Sequence, residues 1–508
     1  MKALIFLSTF IACCFSSNWV FAKSIYVTPN GSASANGSSF TTAVKFSSAL
    51  EVAQAGDSIL LQGGTYLVPY LEGGKNTIVL ARSGEDGKPI YLVSYNNTKA
   101  IFDFQFPEHK WTQDSYGFYV TGSYWYLKGI TITNAGYQGA YVTGSHNTFN
   151  NCVFSYCRFS GLEINKGGAF TTVINCDSYN NYNPKVTSQG PGGAADGFAP
   201  KQLLGPGNVL IGCRAWGNSD DGYDTFGDPA NPNVFVIMEN CWAFNNGSTT
   251  IGNITYEGNK DGFKLGGSSV PQQNQAYNCI AFGNGFRGFD ENNNKGGVKV
   301  FNCLAYDNYM NYSFGGTLNS GEAHDFRNNV SLKESVLSNI KSTNKQLNNT
   351  WNTGFSVKPA DYKSLDLSLA MSDRSPEGTL PEIDLFRLVQ GSALIDKGTA
   401  TGRPFLGNAP DIGPFEYNPI LTALQENATL KHDVVVFPTI ITEFIHVRLL
   451  SSIQQCQVGI YSAKGDLLFS SPMETAELSI DCKDFPKGAY FVRVENDGKL
   501  QVCKVLVL

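Results

Sequence analysis

Short stretches of alternating hydrophobic and polar residues run along most of this chain, and the alternation predicts β-strands. The first predicted strand covers residues 24–27 and ends at the turn Pro29-Asn30-Gly31, and a second covers residues 58–62. Because the strands are brief and turn residues separate them, the pattern favours an all-β fold built of many short strands.

One stretch near the N-terminus has the spacing of an amphipathic helix instead. Val44, Leu50 and Val52 would share one face of a helix over residues 43–55, with Thr42 as its N-cap. We expect this helix to cover the end of a stack of strands, because a solenoid exposes hydrophobic cross-section there and needs a cap.

A repeat becomes legible from about residue 124 onward. Six cysteines each open a similar unit, and the residue five positions later is asparagine in five of the six. The cysteines are 24, 37, 28, 38 and 24 residues apart, so a basic coil of 24 residues carries loops of varied length. Such a unit of strands and turns predicts a parallel β-helix. The cysteines and their later partners are Cys152 and Cys157, Cys176 and Asn181, Cys213 and Asn218, Cys241 and Asn246, Cys279 and Asn284, and Cys303 and Asn308.

Equivalent residues of a β-helix lie on neighbouring coils about 4.8 Å apart. The repeated asparagines would therefore form a ladder in one turn, with side-chain amides bonded from coil to coil, and have a structural role. Ten cysteines follow the N-terminal segment, and in an exported protein they would by default form disulfides. Because the repeated cysteines would stack inside the helix, we predict buried thiols that pack as small apolar groups.

The chain divides into four predicted parts. Residues 1–22 are a signal peptide, 23–417 the β-helix with irregular closing coils over its far end, 418–433 a polar linker, and 434–508 a small β-sandwich of about seven strands. The sandwich has no cluster of catalytic residue types, so we assign it to sorting, anchoring or interaction.

The N-terminus has the features of a secretory signal. Lys2 is followed by an apolar run and by Val20-Phe21-Ala22, a small-residue cleavage site. Cys13 offers an alternative as a lipid-attachment cysteine, and the apolar run is too short for a transmembrane anchor. Both interpretations predict an exported protein that is extracellular, periplasmic or on the cell surface.

Composition narrows the function. The chain is 42% hydrophobic and 16% charged, with 53 glycines, which is typical of a folded, loop-rich protein. Its net charge of −6 argues against a nucleic-acid binder. An anionic substrate would need a metal ion or a local basic patch to bind.

Three acidic turns occupy the same place in successive repeats. They contain four aspartates that stacking would bring together: Asp196, Asp220, Asp221 and Asp224. Carboxylates held that close repel one another unless a cation joins them, and an all-oxygen cluster suits Ca²⁺ rather than zinc. The alternative is a solvated acidic edge with ordinary turn roles.

Lys264 follows the third acidic turn, Asp261-Gly262-Phe263. A nearby Ca²⁺ and partial desolvation would lower its pKa and make it a base. Such a base can take the C5 proton of a uronic acid, so that an acidic polysaccharide is cleaved by elimination. A hydrolase would instead need one carboxylate kept neutral opposite another, for which these aspartates are too crowded.

Other residues carry weaker predictions. Lys201, Lys260, Arg287 and Lys295 either hold further substrate carboxylates or are plain surface charges. Trp216 and Tyr223 either stack on sugar faces or belong to the core. We also predict a monomer. A non-catalytic surface adhesin, in which calcium only stiffens the turns, is a third hypothesis beside the lyase and the hydrolase.

The acidic turns resemble motifs of polysaccharide lyase family nine, the pectate lyase type, over the whole predicted solenoid. The matching segments are Asp196-Gly197-Phe198-Ala199-Pro200-Lys201, Asn218-Ser219-Asp220-Asp221-Gly222-Tyr223-Asp224 and Asp261-Gly262-Phe263-Lys264-Leu265-Gly266-Gly267. The resemblance implies a right-handed parallel β-helix, calcium bound by the four aspartates, and Lys264 as the Brønsted base. It leaves polygalacturonate and the rhamnogalacturonan backbone of pectin as alternative substrates, since both present a galacturonate.

Two departures accompany the resemblances. Pro200 stands beside the first acidic turn where a small residue is expected, and it could alter a subsite. The C-terminal sandwich is similar to the sorting domain of a Bacteroidota secretion system, which implies secretion machinery as a partner. The usual Pro-Asn-Pro after its first strand is here Phe437-Pro438-Thr439.

Overall fold

The computed structural model describes residues 22–187, 190–354 and 357–418 of the N-terminal part. In the C-terminal part it describes residues 434–437, 440–441, 444–449, 456–462, 466–475, 477–496 and 499–507. Residues 1–21, with nearly all of the predicted signal peptide, and residues 419–433, with most of the predicted linker, lie outside the described residues.

Parallel strands coil into a β-helix with three faces. The strands of the first face are Ser24–Ser32, Ser58–Leu61, Ile90–Ser94, Trp125–Lys128, Thr148–Asn150, Thr172–Ile174, Asn208–Ile211, Val236–Glu239, Gln275–Tyr277, Lys299–Phe301, Asp325–Arg327 and Lys345–Leu347. Those of the second face are Gly64–Leu67, Ala100–Asp103, Ile130–Thr133, Val153–Ser155, Asp177–Tyr179, Arg214–Trp216, Trp242–Phe244, Ile280–Phe282, Leu304–Phe314 and Val330–Val336. Those of the third face are Ile78–Leu80, Phe118–Val120, Ala140–Val142, Leu162–Ile164, Phe198–Pro200, Tyr223–Asp224, Phe263–Lys264, Arg287–Asp290 and Asn339–Ile340, with Leu304–Phe314 shared between the second and third faces. The predicted parallel β-helix is confirmed.

The turn between the first and second faces explains why each unit opens with Asn-Cys or Gly-Cys. The residue before each repeated cysteine has a φ of 51° to 63°, in the left-handed region that Asn and Gly tolerate. The cysteine then points inward, and its thiol donates to backbone carbonyls of the same and the preceding coil, as Cys176 does to Ile174 and Phe149. The ten cysteines of the described residues are all free, as predicted.

The asparagine ladder lies in the turn between the second and third faces. The side-chain amide of Asn181 donates to the Oδ1 atom of Asn218 at 2.8 Å, and that of Asn218 donates to Asn246 at 2.9 Å. Asn246 and Asn284 continue the ladder toward Asn308 at 3.0 Å each. Each of these ladder amides from Asn181 to Asn284 is therefore satisfied by the next coil, and the predicted structural role is confirmed.

The capping helix is shorter than predicted. It covers Phe46–Val52, and a 3-10 turn, Phe40–Thr42, precedes it. Thr42 therefore does not cap the helix, because Ala43 and Lys45 are extended and Val44 pairs with the first strand. That strand continues to Ser32 through the turn expected at residues 29–31. Val52, which was expected on the buried side, is 48% exposed.

The irregular part of the chain after Val330, up to about residue 417, was expected to cover the far end of the solenoid. Its segment of residues 357–417 instead packs along the outside of the second face. Several outward side chains of this face are large and apolar, among them Trp242, Phe244, Ile280 and Phe282, and the segment buries them. The ring of Phe386 lies 5.7 Å from that of Phe282 and 5.4 Å from that of Tyr306. Two 3-10 turns, Pro359–Asp361 and Leu367–Met371, belong to this segment.

A buried ion-pair network fastens this segment to the helix. The carboxylate of Asp177, on the second face, accepts hydrogen bonds from Arg214 at 2.9 Å and from Arg374 of the segment at 2.7 Å. Both guanidinium groups also donate to backbone carbonyls, so all three side chains are held rigidly.

Replacing Asp177 with Asn is expected to lower the free energy of unfolding by about 3–5 kcal/mol, because two buried cations lose their carboxylate. Chemical denaturation of the purified chain measures this change. Asp307→Asn is the matched control, since Asp307 pairs with Lys333 in an exposed salt bridge, and it should cost less than about 1 kcal/mol. Equal losses in the two variants would contradict the prediction.

The C-terminal part is a small β-sandwich, as predicted. One sheet contains Val434–Phe437, Phe444–Leu449 and Glu477–Asp481. The other contains Ile440–Ile441, Gln457–Ser462, Leu467–Pro472, Gly488–Asn496 and Lys499–Val507. Ile445, Val458 and Val492 are fully buried in the core between them.

Candidate active site

The register of the third face brings the three acidic turns onto successive coils. Phe198, Tyr223 and Phe263 are register partners, and their rings stack inside the helix at 5.3 Å and 4.6 Å. Tyr223 is therefore a core residue and does not meet sugar. Trp216 likewise stacks between two aromatic rings of the second face, those of Tyr179 and Phe244, at 4.5 Å and 5.5 Å.

The aspartate two residues before each of these rings is part of a hydrogen-bonded ladder. Asp196 accepts through Oδ1 from the backbone N–H of Asp221 at 3.3 Å, and Asp221 accepts through Oδ1 from that of Asp261 at 3.0 Å. Asp261 in turn accepts from the N–H of Arg287 at 3.1 Å. One oxygen of each carboxylate thus joins two coils. The other oxygen is paired with side chains: Asp196 Oδ2 with Lys201 and Ser160, Asp221 Oδ2 with Lys264, and Asp261 Oδ2 with Arg287.

Two aspartates of this ladder meet a third one, Asp224, at one place. Oxygens of Asp196, Asp221 and Asp224 all lie within 4.8 Å of one another, and we call these three buried residues the carboxylate cage. Lys264 Nζ lies 3.0 Å from Asp221 Oδ2 and 3.7 Å from Asp224 Oδ2. Lys201 Nζ lies 2.6 Å from Asp196 Oδ2 and 3.1 Å from Asp224 Oδ2.

The donor set of the cage fits Ca²⁺. Oxygen ligands at about 2.4 Å from an ion are up to about 4.8 Å apart, which matches the spacing of the cage oxygens. The cage contains neither His nor Cys among the described residues, so it suits a hard cation. Because Ca²⁺ takes about 6–8 oxygens, three carboxylates leave room for water and for an oxygen of a substrate.

Asp220 lies beside the cage but outside the group of three. Its two oxygens accept from the backbone N–H groups of Ala194 and Asn259, which belong to two neighbouring loops. Burial and the charge of Asp196 raise the pKa of Asp220 to about 6. Its assignment as a fourth calcium ligand stays a prediction.

Charges in the site are strongly coupled. Burial disfavours the ammonium group of Lys264, but the carboxylates of Asp221 and Asp224 outweigh it and hold the pKa of Lys264 well above its ordinary value. Burial also opposes ionisation of Asp224, yet Lys264 and Lys201 keep its pKa below the ordinary value. In this state Lys264 is an ammonium ion, paired with the same oxygens that would hold a metal.

The other predicted substrate-binding residues differ in position. Lys201 is paired with two aspartates of the cage and is not a surface charge. Arg287 lies one coil beyond Asp261, bonded to it at 3.4 Å and to Asp290 at 3.5 Å. Lys260 pairs with Glu257 at 3.0 Å and keeps a third of its side chain in solvent. The half-buried Lys295 donates to the carbonyl of Thr317.

The sequence analysis missed three acidic residues of this face. Asp261 was quoted in the third turn without a role, although it continues the aspartate ladder. Asp290 is the register partner of Lys264, and its place after Gly288-Phe289 in the repeat was a usable signal. Glu163, which is buried and accepts from Gln138 at 2.7 Å, follows a Gly-Leu in the same slot.

The chain is similar to proteins of a known family. Residues 25–329 match the family described as "Pel9A-like, right handed beta helix region". Pectate lyase L of Dickeya dadantii (strain 3937) is 51% identical over 395 residues, which are 77% of this chain and 90% of that protein. The crystal structure of pectate lyase Pel9A is 50% identical with a TM-score of 0.74, and it covers 78% of this chain and 97% of its own. A rhamnogalacturonan lyase structure is 29% identical with a TM-score of 0.61, over 73% of this chain and 97% of its own.

Fold and relatives together define a right-handed β-helix polysaccharide lyase. The chain belongs to the Pel9A-like family. The lyase hypothesis is thereby favoured over the hydrolase and the non-catalytic adhesin.

The C-terminal sandwich also has a family. Residues 435–508 match the secretion system C-terminal sorting domain, so this is a secreted or cell-surface protein that uses a secretion machinery. In the part of the chain that the structure describes, helices are all too short or too polar to cross a membrane.

Proposed function

We propose that this lyase cleaves polygalacturonate by β-elimination, with Lys264 as the base and Ca²⁺ held by Asp196, Asp221 and Asp224, with Asp220 as a fourth ligand. The observation that carries the proposal is the contact of 3.0 Å between Lys264 Nζ and Asp221 Oδ2, a cage oxygen. A base and a cation site that share an oxygen act on the same sugar ring. The two similar proteins at 50–51% identity are both named pectate lyases.

The reaction requires Lys264 to be a neutral amine. Its neutral amine removes the proton from C5 of a galacturonate, the C–H electrons form the C4–C5 double bond, and the C4–O bond breaks. Water protonates the departing oxygen, and the new chain end is unsaturated. A bound Ca²⁺ would draw charge from the substrate carboxylate and stabilise the enolate-like transition state.

The cage also decides whether Lys264 is neutral. Asp221 and Asp224 stabilise its ammonium form while their oxygens point at Nζ. When the same oxygens are engaged by a cation, that stabilisation is removed and the pKa of Lys264 falls toward the working range of a base. The base is therefore activated only in a site that is ready to hold a uronate.

Arg287 is proposed to receive a second galacturonate carboxylate on the next coil. Its guanidinium lies 4.0 Å above the ring of Phe286, whose ring is 5.5 Å from that of Tyr309, a residue 47% exposed. A planar cation fixed on an aromatic face suits bidentate binding of a carboxylate. Lys260, on the coil between, supplies a second charge, and a third of its side chain is in solvent.

We propose the remaining organisation from the sequence. The signal peptide is residues 1–22, the lyase domain 23–417, the linker 418–433 and the sorting domain 434–508, and the enzyme acts as a monomer outside the cell. The match to the sorting domain supports the last boundary and the export.

An absorbance assay tests the function. Polygalacturonate should give new near-ultraviolet absorbance from unsaturated ends. The rate should be at least about tenfold above that on rhamnogalacturonan, because a site that fits one backbone binds its transition state more tightly than that of the other. The reverse preference would replace pectate by rhamnogalacturonan, the activity of the 29%-identical structure. New reducing ends without absorbance would contradict elimination itself.

A further inference from the structure

Lys201 is a buried cation inside the cage. Only 6% of its side chain is exposed, and its Nζ bridges Oδ2 of Asp196 and Oδ2 of Asp224, which are on different coils. Its own backbone N–H donates to the carbonyl of Ile164 at 3.1 Å, so the side chain starts from a fixed position on the third face.

Both partners of Lys201 are already committed on their other oxygen. Asp196 Oδ1 accepts from the N–H of Asp221, and Asp224 Oδ1 accepts from that of Phe226 at 3.0 Å. The Oδ2 atoms of both residues remain for other partners, and Lys201 pairs with both of them, while Ser160 Oγ also donates to Asp196 Oδ2 at 3.0 Å. An ammonium group and a divalent cation therefore compete for the same two oxygens.

We propose that Lys201 is a built-in counter-ion of the cage, a positioning residue that holds Asp196 and Asp224 in place and weakens the binding of Ca²⁺ so that the ion remains exchangeable. This proposal rests on the proposed calcium site. Lys201 offsets part of the negative charge of the cage, so less of that charge is left to attract a divalent ion. A loaded site with little negative charge accepts an anionic sugar more readily than a strongly negative one.

Charge removal at Lys201 is the test. The full chain and its Lys201→Met variant are freed of metal with chelator, dialysed, and titrated with CaCl₂ in a calorimeter. The variant is expected to bind Ca²⁺ at least about tenfold more tightly, because a buried unit charge next to the ion has been removed. The rise in Tm on adding CaCl₂ should also be larger in the variant, since tighter binding stabilises the folded state more.

Lys333→Met is the matched control, because Lys333 is an exposed lysine paired with Asp307 outside the cage. Its calcium affinity should equal that of the unchanged chain. If Lys201→Met binds Ca²⁺ equally well or more weakly, Lys201 only orients the ligands and the proposal is overturned.

Two further outcomes are decisive. If the Lys201→Met chain is unfolded without metal, saturating CaCl₂ should restore folding, and a failure to do so overturns the proposal. The Lys201→Arg variant keeps the charge and should stay close to the unchanged chain in affinity, whereas tight binding by both variants overturns it. If the unchanged chain shows no calcium binding, the proposed cation site fails, and this result is visible without any variant.

Discussion

Replacing Lys264 with Ala is expected to lower kcat on polygalacturonate by about 10²–10⁴-fold, the contribution of a positioned acid–base group. The amine would be removed from the cage edge, where it lies 3.0 Å from Asp221 Oδ2. Because the metal ligands remain, calcium affinity should not be lost. Initial rates from the absorbance of unsaturated product, together with calcium titration of the same sample, measure both effects.

The control for this substitution is Lys333→Ala, which removes an exposed lysine far from the aspartate ladder in sequence and should leave kcat unchanged. A Lys264→Ala enzyme that keeps more than about a tenth of the unchanged rate would assign the proton transfer to another group. A variant that loses activity only because calcium no longer binds would give Lys264 a structural role in the cage.

The β-helix was predictable because its repeat places asparagine, glycine and cysteine at positions where few other residues fit. Asparagine or glycine before each cysteine supplies the left-handed turn, and asparagine five residues after five of the six cysteines supplies the ladder. Once those two positions are aligned, the register of the third face follows. Asp196 and Asp221 must then stack, with Asp261 on the next coil.

Other parts of the site could not be predicted, because the spacing of residues in the repeat does not say in which direction a side chain points. Lys201 follows Pro200 at the end of a third-face strand, and nothing in its sequence context separates a solvent-facing lysine from one that turns into the cage. Asp220 and Asp221 are neighbours, yet one carboxylate faces loop amides and the other faces Lys264. Loops of unlike length, the insertions before Asp196 and Asp261, supply those amides, and their course is not periodic.

The predicted position of residues 357–417 was wrong for a related reason. The sequence pattern near residues 357–417 is irregular, so its partner could be inferred only from what the solenoid leaves exposed. The end of the stack was the natural candidate. The outward aromatic side chains of the second face are the apolar surface that the segment covers, and Phe386 and Arg374 attach it there.

Removal of divalent cations is expected to reduce kcat by at least about 10²–10³-fold, the cost of losing one preorganised group that stabilises transition-state charge. The loss of activity is larger than a loss of substrate binding alone would cause. Without a cation, the oxygens of Asp221 and Asp224 hold Lys264 as an ammonium ion, which cannot act as a base. The measurement is the rate in excess chelator and after addition of CaCl₂ or MgCl₂. Ca²⁺ should restore the full rate, and Mg²⁺ much less, because Mg²⁺ demands octahedral oxygens at about 2.0–2.1 Å.

In this prediction the cation stabilises charge in the transition state and also releases Lys264 from its pairing with Asp221. The Asp221→Asn variant separates these two roles. Its amide can still accept from the N–H of Asp261, so the ladder between the coils is kept, but the negative charge that pairs with Lys264 is gone. Calcium affinity should fall while the pKa of Lys264 also falls, and saturating CaCl₂ should recover only part of the rate. Full activity of the unchanged chain in chelator would show that the amine of Lys264 works without a cation. The contact of Lys264 with Asp221 Oδ2 would then have no role in catalysis.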